Sequence, residues 1–314
     1  MTSNMMPETV ADSAVAGVWS ADAPEVYHEL TPRGLALRRF RRNRLAVFGA
    51  VVITTMAVLS LLAPLIAPYD PLRPDVRAFG KPPSLAHLFG TDGAGRDVLT
   101  RLLYGGRVSL SVGLVAVTIY VTIGTILGVI AGFFRGKVDA LIMRVTDLFL
   151  SFPTLIMIIA IVPIVGPSIV NIMLIIGLLG WPPVARLVRG QVLSLRERDF
   201  VLASRGLGAS PARIIAREIM PNVTGPLLVI ASFGVADAII TEAGLSLLGL
   251  GIRPPEASWG QMLTISTELA VVAAKPWMWI APASCIALAV LSINFIGDGL
   301  RDALDPRGAT TGRR

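Results

Sequence analysis

Residues 186–222 read RLVRGQVLSLRERDFVLASRGLGASPARIIAREIMPN, and apolar runs long enough to cross a bilayer flank them on both sides. This polar island carries seven arginines: Arg186, Arg189, Arg196, Arg198, Arg205, Arg213 and Arg217. It also has a helix–turn–helix grammar. Arg196 to Gly206 reads as one short helix, and Gly206-Leu207-Gly208 supplies residues that tolerate a left-handed turn. Ser210 suits a helix cap and Pro211 a first helical position, so a second helix is expected over Ala212–Met220, stopped by Pro221. Ile214, Ile215 and Ile219 form its apolar stripe, with Arg213 and Arg217 four apart on a polar face. Such a structured basic loop reads as a docking element for a partner. The competing reading is a solvated loop that meets only lipid headgroups.

The flanks set the fold class. The chain has 314 residues, 54% hydrophobic and 16% charged, against about 25% charged in soluble domains. Its mean hydropathy is +0.70. A helix needs about 20 apolar residues to cross a bilayer. Leu45–Ile66 qualifies, as does Val108–Phe134 between Arg107 and Arg135. Leu148–Ala185 is charge-free but too long for one helix, and Pro163 with the Gly166-Pro167-Ser168 turn divides it. Spans three and four are expected over 141–163 and 169–188, five over 223–249 and six over 277–297. The expected organisation is a tail 1–44, a first span 45–68, an outer loop 69–107, a core 108–297 containing the loop 186–222, and a tail 298–314. The first 30 residues are acidic and lack a signal-peptide core, which predicts a disordered cytosolic tail.

Six spans put both termini on one side. The N-terminal tail holds six Lys and Arg, the loop 135–144 three, the loop 186–222 seven and the C-terminal tail four, against eight in the other loops. The positive-inside rule then predicts cytoplasmic termini and a cytoplasmic 186–222 loop. Because the basic residues sort by loop, the net charge of +7 does not point to nucleic acid. Trp277 and Trp279 suit the outer interface. The lone Cys285 and the two separated histidines, His28 and His87, make no metal-ligand cluster.

The loop resembles the EAA motif of ABC importer permeases. Phe200-Val201-Leu202-Ala203-Ser204-Arg205-Gly206-Leu207-Gly208-Ala209-Ser210 follows that pattern, and Met220-Pro221-Asn222 matches its close. Leu202 stands where the motif has Glu, and Ser204 where it has Ala. Further matches extend through the chain. His87–Leu99 resembles the HxxGTDxxGRDVL block of the dipeptide/oligopeptide permease group, continued by Tyr104–Leu110. Asp139–Asp147, the stretch Glu242–Gly251 with Pro254-Pro255 and Ser258-Trp259-Gly260, and Asn294–Pro306 are similar to that group's other blocks.

The resemblance to the DppC/OppC-type permease implies an all-α membrane protein of the type I ABC importer permease fold, with six spans and a cytoplasmic coupling helix. It implies a second permease of the DppB/OppB type, two cytosolic ABC ATPase subunits or domains, and an extracytoplasmic substrate-binding protein, in a cell membrane. The coupling residues so implied are Leu202, Ala203, Ser204, Arg205, Gly208, Ala209, Ser210, Pro211, Arg213 and Arg217. The implied cargo is a di- or oligopeptide, with a nickel chelate or haem as alternatives.

Two carboxylates fall inside span five. Asp237 and Glu242 are five apart, about 140° around a helix, so they do not share a face. A carboxylate at mid-bilayer costs a few kcal/mol and must face protein or a wet cavity. Glu242 reads as a structural or gating contact, and Asp237 as a candidate for the pathway, near a peptide's amino group. Gly124, Gly128 and Gly132 make a small-residue ridge for helix packing. Thr91–Leu103, with Asp92, Arg96, Asp97 and Arg101, reads as a helix along the outer membrane surface, or a lip that meets a binding protein.

Catalytic motifs are absent. Gly136-Lys137 is followed by Val138 and Ala131 stands at the upstream glycine position, so no Walker A loop exists. Gly93-x-Gly95 lacks its third glycine at Val98, and no GxSxG or HExxH occurs. An intramembrane enzyme has no histidine near span serines such as Ser232. A passive channel leaves the knob unexplained. The chain is therefore expected to be non-catalytic, with no cofactor or metal of its own, ATP and Mg being bound by the ATPase partners.

Overall fold

A computed structural model describes residues 32–264 and 269–304. The tail expected over the first 30 residues, His28, and the close of the C-terminal signature at Asp305-Pro306 lie outside the described residues. The elements, in chain order, are α1 (Pro32–Arg42), α2 (Arg44–Leu61), α3 (Ala63–Ile66), α4 (Val98–Phe134), α5 (Gly136–Leu150), α6 (Thr154–Val165), α7 (Ile169–Leu179) and α8 (Trp181–Leu195). There follow α9 (Asp199–Gly206), α10 (Pro211–Ile214), a π-helical turn (Ile215–Ile219), α11 (Met220–Leu247), α12 (Trp259–Leu263), α13 (Leu269–Ala274) and α14 (Trp277–Leu304). Among the described residues the only strand-like pairing is one bridge between Thr91 and Asp97.

Among the described residues, five stretches are long and apolar enough to cross a membrane: Arg44–Leu61, Val98–Phe134, Ile169–Leu195, Pro211–Leu247 and Trp277–Leu304. The sixth expected span is a bent pair, α5 and α6, meeting at 80°. Its break falls at Ser151–Pro153, whereas Pro163 sits inside α6. The residue before a proline is pushed out of the α region, so Phe152-Pro153 is the break.

Three other boundaries move for local reasons. The second span starts at Val98, not Val108, because Asp97 caps it by accepting from the Thr100 amide at 2.8 Å and the charges of the first turns find partners. The surface helix expected over 91–103 is therefore a folded loop to Asp97 followed by the start of α4. Pro221 does not stop a helix. It sits in the first turn of α11, and the preceding π-helical turn widens the backbone around the position whose amide is missing. The last helix runs on to Leu304, so residues 298–304 are helix rather than tail.

The helices pack around α4. Its expected glycine ridge lies directly on α8. A Cβ added at Gly124 would stand 2.6 Å from Val184 Cβ, at Gly128 2.6 Å from the Ala185 carbonyl, and at Gly132 2.9 Å from the Arg189 carbonyl. Val184, Val188 and Val192, one turn apart, fill the spaces the glycines leave. With little hydrophobic drive between helices in lipid, this close backbone approach is a main source of cohesion. Gly128→Ala should therefore lower stability by about 1–3 kcal/mol, read as thermal unfolding of the purified protein. Gly190→Ala, on the open side of α8 with nothing within 4 Å, should not lower it. Equal effects at both positions would refute the ridge as the cause.

Candidate functional site

The polar loop is a compact knob. Val201 and Ile219 are fully buried and Ile214 nearly so, which anchors α9 and α10 to the body of the protein. Gly208, at φ +80, makes the left-handed turn between them. Ser210 caps α10 by accepting from the Arg213 amide at 3.4 Å. The first helix is shorter than expected, because Arg196 ends α8 and α9 begins at Asp199.

The seven arginines divide into two sets. Arg186 pairs with Asp147 at 2.6 Å, and Arg189 grips Asp139 with two bonds of 2.5 and 2.7 Å. Arg196 donates to the Phe133 carbonyl at 2.6 Å. Partial burial, then the cations of Arg205 and Arg135, lowers its pKa from the usual arginine value. These three fasten the loop's base to α4 and α5. Arg198, Arg205, Arg213 and Arg217 stay exposed at the tip. Arg205 also lies 5.8 Å from the centre of the Phe133 ring, a cation–π distance.

Apolar side chains stand among the exposed arginines. Phe200 is 42% exposed, Leu202 48% and Leu207 89%. Ala203, Gly208 and Pro211 are exposed beside them, and Ala209 is half-buried. The half-buried Ser204 donates to Glu218 at 3.3 Å, so a carboxylate reaches this face from the opposite helix although Leu202 carries none. Sequence reading missed Glu218, because fourteen residues and a turn separate it from Ser204. It also passed over Phe200 and Leu207, whose exposure no local pattern reveals.

At the opposite end of α4, two buried polar networks hold a folded cap. Arg101 is fully buried and donates to Gln261 Oε1 at 2.7 Å and to the Pro71 and Pro255 carbonyls at 3.2 and 3.3 Å. Its Nε lies 3.5 Å from Asp92 Oδ2, an ion pair too poorly aligned for a hydrogen bond. Asp92 also accepts from Arg96 Nε at 2.9 Å and from the Ala94 and Arg96 amides. Asp97 meets His87 Nδ1 at 3.0 Å. Asp92 and Asp97 are thus buried and shape the cap from within, rather than forming an outward lip.

Glu242, fully buried, centres the second network. It accepts from Ser258 at 2.6 Å, Ser246 at 2.9 Å and Ser109 at 3.4 Å, while Ser109 accepts from the Trp259 amide at 3.1 Å. This joins α4, α11 and α12. Asp237, by contrast, is exposed on α11, and no hydrogen bond or ion pair reaches it among the described residues. It lines a cavity of about 760 Å³ with Tyr120, Thr154, Gly180, Phe233 and Thr241. The breaks before α6 and between α7 and α8 both open onto this cavity. Irregular backbone at membrane depth is tolerated where it lines such a space. The Tyr120 hydroxyl abuts Gly234, one turn from Asp237 on α11, at a point where any Cβ would clash.

Comparison with known proteins bears on both ends. Residues 124–309 match the family described as binding-protein-dependent transport system inner membrane component, and residues 31–83 match the N-terminal TM domain of oligopeptide transport permease C. A putative peptide permease protein of Brucella suis biovar 1 is 45% identical over 88% of this chain and 91% of its own length. A dipeptide transport system permease protein DppC from Alkalihalophilus pseudofirmus is 42% identical, covering 90% and 92%. An oligopeptide transport system permease protein OppC from Bacillus subtilis is 40% identical, covering 87% and 88%. A chain of an inward-facing MetNI methionine ABC transporter superposes with a TM-score of 0.54 at 21% identity, covering 66% of this chain and 97% of that one. The chain belongs to the binding-protein-dependent transport system inner membrane component family, and its fold is the type I ABC permease fold.

The Glu242 network makes a prediction of its own. Glu242→Ala would leave three buried hydroxyls without their acceptor, at about 1–3 kcal/mol for each unsatisfied group. We expect lower thermal stability and new protease cleavage within residues 250–263. Glu242→Gln, which retains an acceptor oxygen, should lose less. Unchanged protection of that segment in Glu242→Ala would show that the network does not hold it.

Proposed function

We propose that this chain is one of two permease subunits of an ATP-driven importer, that its cargo is a di- or oligopeptide, and that its 186–222 knob docks in a groove of a cytosolic ATPase. The family membership carries the class of transport component. The peptide cargo follows from the relatives named for peptides, which align with nearly the whole chain. A binding protein on the outer side delivers the cargo, and both termini lie in the cytoplasm with the knob. The ATPase partners supply the ATP and Mg chemistry, which is consistent with the missing Walker A loop.

One observation carries the docking assignment: Leu207, 89% exposed at the tip of a basic knob, beside Phe200 and Leu202 and rimmed by Arg205, Arg213 and Arg217. An apolar tip outside the lipid marks a protein interface. The arginines steer the partner and the apolar side chains hold it. ATP binding closes the two ATPases, the knob moves with them, and the bundle rocks from inward- to outward-facing. ATP and the loaded binding protein must both favour the same conformer for this to be driven.

Asp237 supplies the polar contact with the cargo. A carboxylate in a transmembrane helix is costly unless it faces a wet cavity, and here Asp237 faces the cavity of about 760 Å³ that Tyr120 also lines. It accepts the free amino group of the peptide as it passes.

Two experiments test these roles. Leu207→Asp, and separately charge reversal of Arg213 and Arg217, should weaken co-purification of the ATPase by roughly thirtyfold, corresponding to the loss of about 2 kcal/mol at an interface hot spot. Undiminished co-purification in both variants counts against docking here. Asp237→Asn should slow peptide uptake by the reconstituted transporter roughly tenfold, the worth of one charge-assisted hydrogen bond, while leaving ATPase association intact. Unchanged uptake would remove Asp237 from the pathway.

A further inference from the structure

We propose that the groove between α1 and α2 is a binding site for one anionic phospholipid of the leaflet that α1 borders. α1 reads PRGLALRRFRR, and six arginines fall between Arg33 and Arg44. No Asp or Glu occurs from Pro32 to Tyr69, so the segment carries no countercharge of its own. Arg38, Arg41, Arg42 and Arg44 are exposed, and none makes an ion pair among the described residues. α1 is held in place against α14, where Phe40, which also lines the groove, lies 3.3 Å from the position a Cβ would take on Gly299. Asn43, between α1 and α2, donates to Asp302 at 3.4 Å.

The groove is about 430 Å³ and has the polarity of a lipid. Leu37, Phe40 and Arg41 line it from α1, Arg41 bringing the charge. Val47, Ala50 and Val51, then Thr54 and Thr55, continue it along α2 into the membrane. These α2 positions repeat every three or four residues and therefore form one face. Thr55 donates its hydroxyl back to the Val51 carbonyl at 2.8 Å, so that hydroxyl proton is already engaged within α2. An occupant must present negative charge at one end and hydrocarbon along the rest. A helix of a partner protein would meet the apolar wall but would need its own carboxylates for the arginine row. An anionic phospholipid satisfies both ends at once. Clusters of four to eight Lys or Arg beside a transmembrane helix are a known electrostatic signature for acidic lipids.

The test uses the whole transporter in vesicles of phosphatidylglycerol and phosphatidylcholine. A trace of either lipid with a photoreactive acyl chain is added, and crosslinked peptides are mapped by mass spectrometry. We expect phosphatidylglycerol to label residues 47–55 at least tenfold over phosphatidylcholine. Labelling should fall about fivefold for each arginine removed in Arg38→Gln and Arg41→Gln, the factor set by one basic residue near an anionic surface. Thr54→Trp, at an exposed position, should abolish labelling with every arginine in place. Inorganic phosphate at millimolar concentration should not compete. Equal labelling by the two lipids overturns the proposal, as does labelling that survives both the arginine and the Thr54→Trp variants. Displacement by phosphate would reduce the site to a headgroup contact. Loss of a partner subunit in Thr54→Trp, with lipid labelling unchanged, would assign the groove to protein instead.

Discussion

The close contact of α4 with α8 is the constraint on which the rest of this structure depends. Three glycines a turn apart bring two backbones within van der Waals reach, and three valines on α8 fill the gaps. Because the contact ends at Gly132 and the Arg189 carbonyl, it fixes where α8 leaves the membrane. Arg196 then reaches the Phe133 carbonyl, Arg189 reaches Asp139, and the knob starts from a rigid base. The same contact aligns the Gly180 break of α7 and α8 with Tyr120 on α4. One wall of the cavity is therefore a consequence of the ridge.

Charge handling follows burial at every level. At the cap, Arg101 and Glu242 are fully enclosed and each has several hydrogen-bond partners, as a buried polar group requires. At the knob, Arg186, Arg189 and Arg196 are bonded to α4 and α5, while Arg198, Arg213 and Arg217 are exposed. Asp237 breaks the pattern, since it is a carboxyl side chain within a span that no hydrogen bond or ion pair reaches among the described residues. That exception is what separates a candidate pathway residue from the structural carboxylate five residues later.

Much of this was legible in the sequence. Of the six spans expected from the apolar runs, five are long helices and the sixth is a bent pair; the glycine ridge was readable from its spacing, and Gly208 and Ser210 placed the turn and cap of the knob. What escaped depended on distant partners. Asp92 and Asp97 resembled surface charges because nothing local announces Gln261 or the Pro255 carbonyl, about 160 residues away, as partners of the neighbouring Arg101. Pro221 looked like a stop signal because a proline removes one helical hydrogen bond. Only the surrounding chain decides whether the helix ends or widens. Ser151–Pro153 was hidden inside a charge-free run, where hydropathy gives no hint of an 80° bend.

The π-helical turn has a mechanical meaning. By carrying the chain past Pro221 without a break, it makes Pro211–Leu247 one rod of 37 residues. Asp237 lies about 39 Å along that rod from Pro211, at 1.5 Å per residue. Glu242 lies further along and is bolted into the cap by three serines. On the proposed docking, the knob's second helix is the handle of a lever whose far end is held in the cap. Torque applied at Pro211 has no slack loop in which to dissipate, and the cavity wall bearing Asp237 lies between handle and pivot.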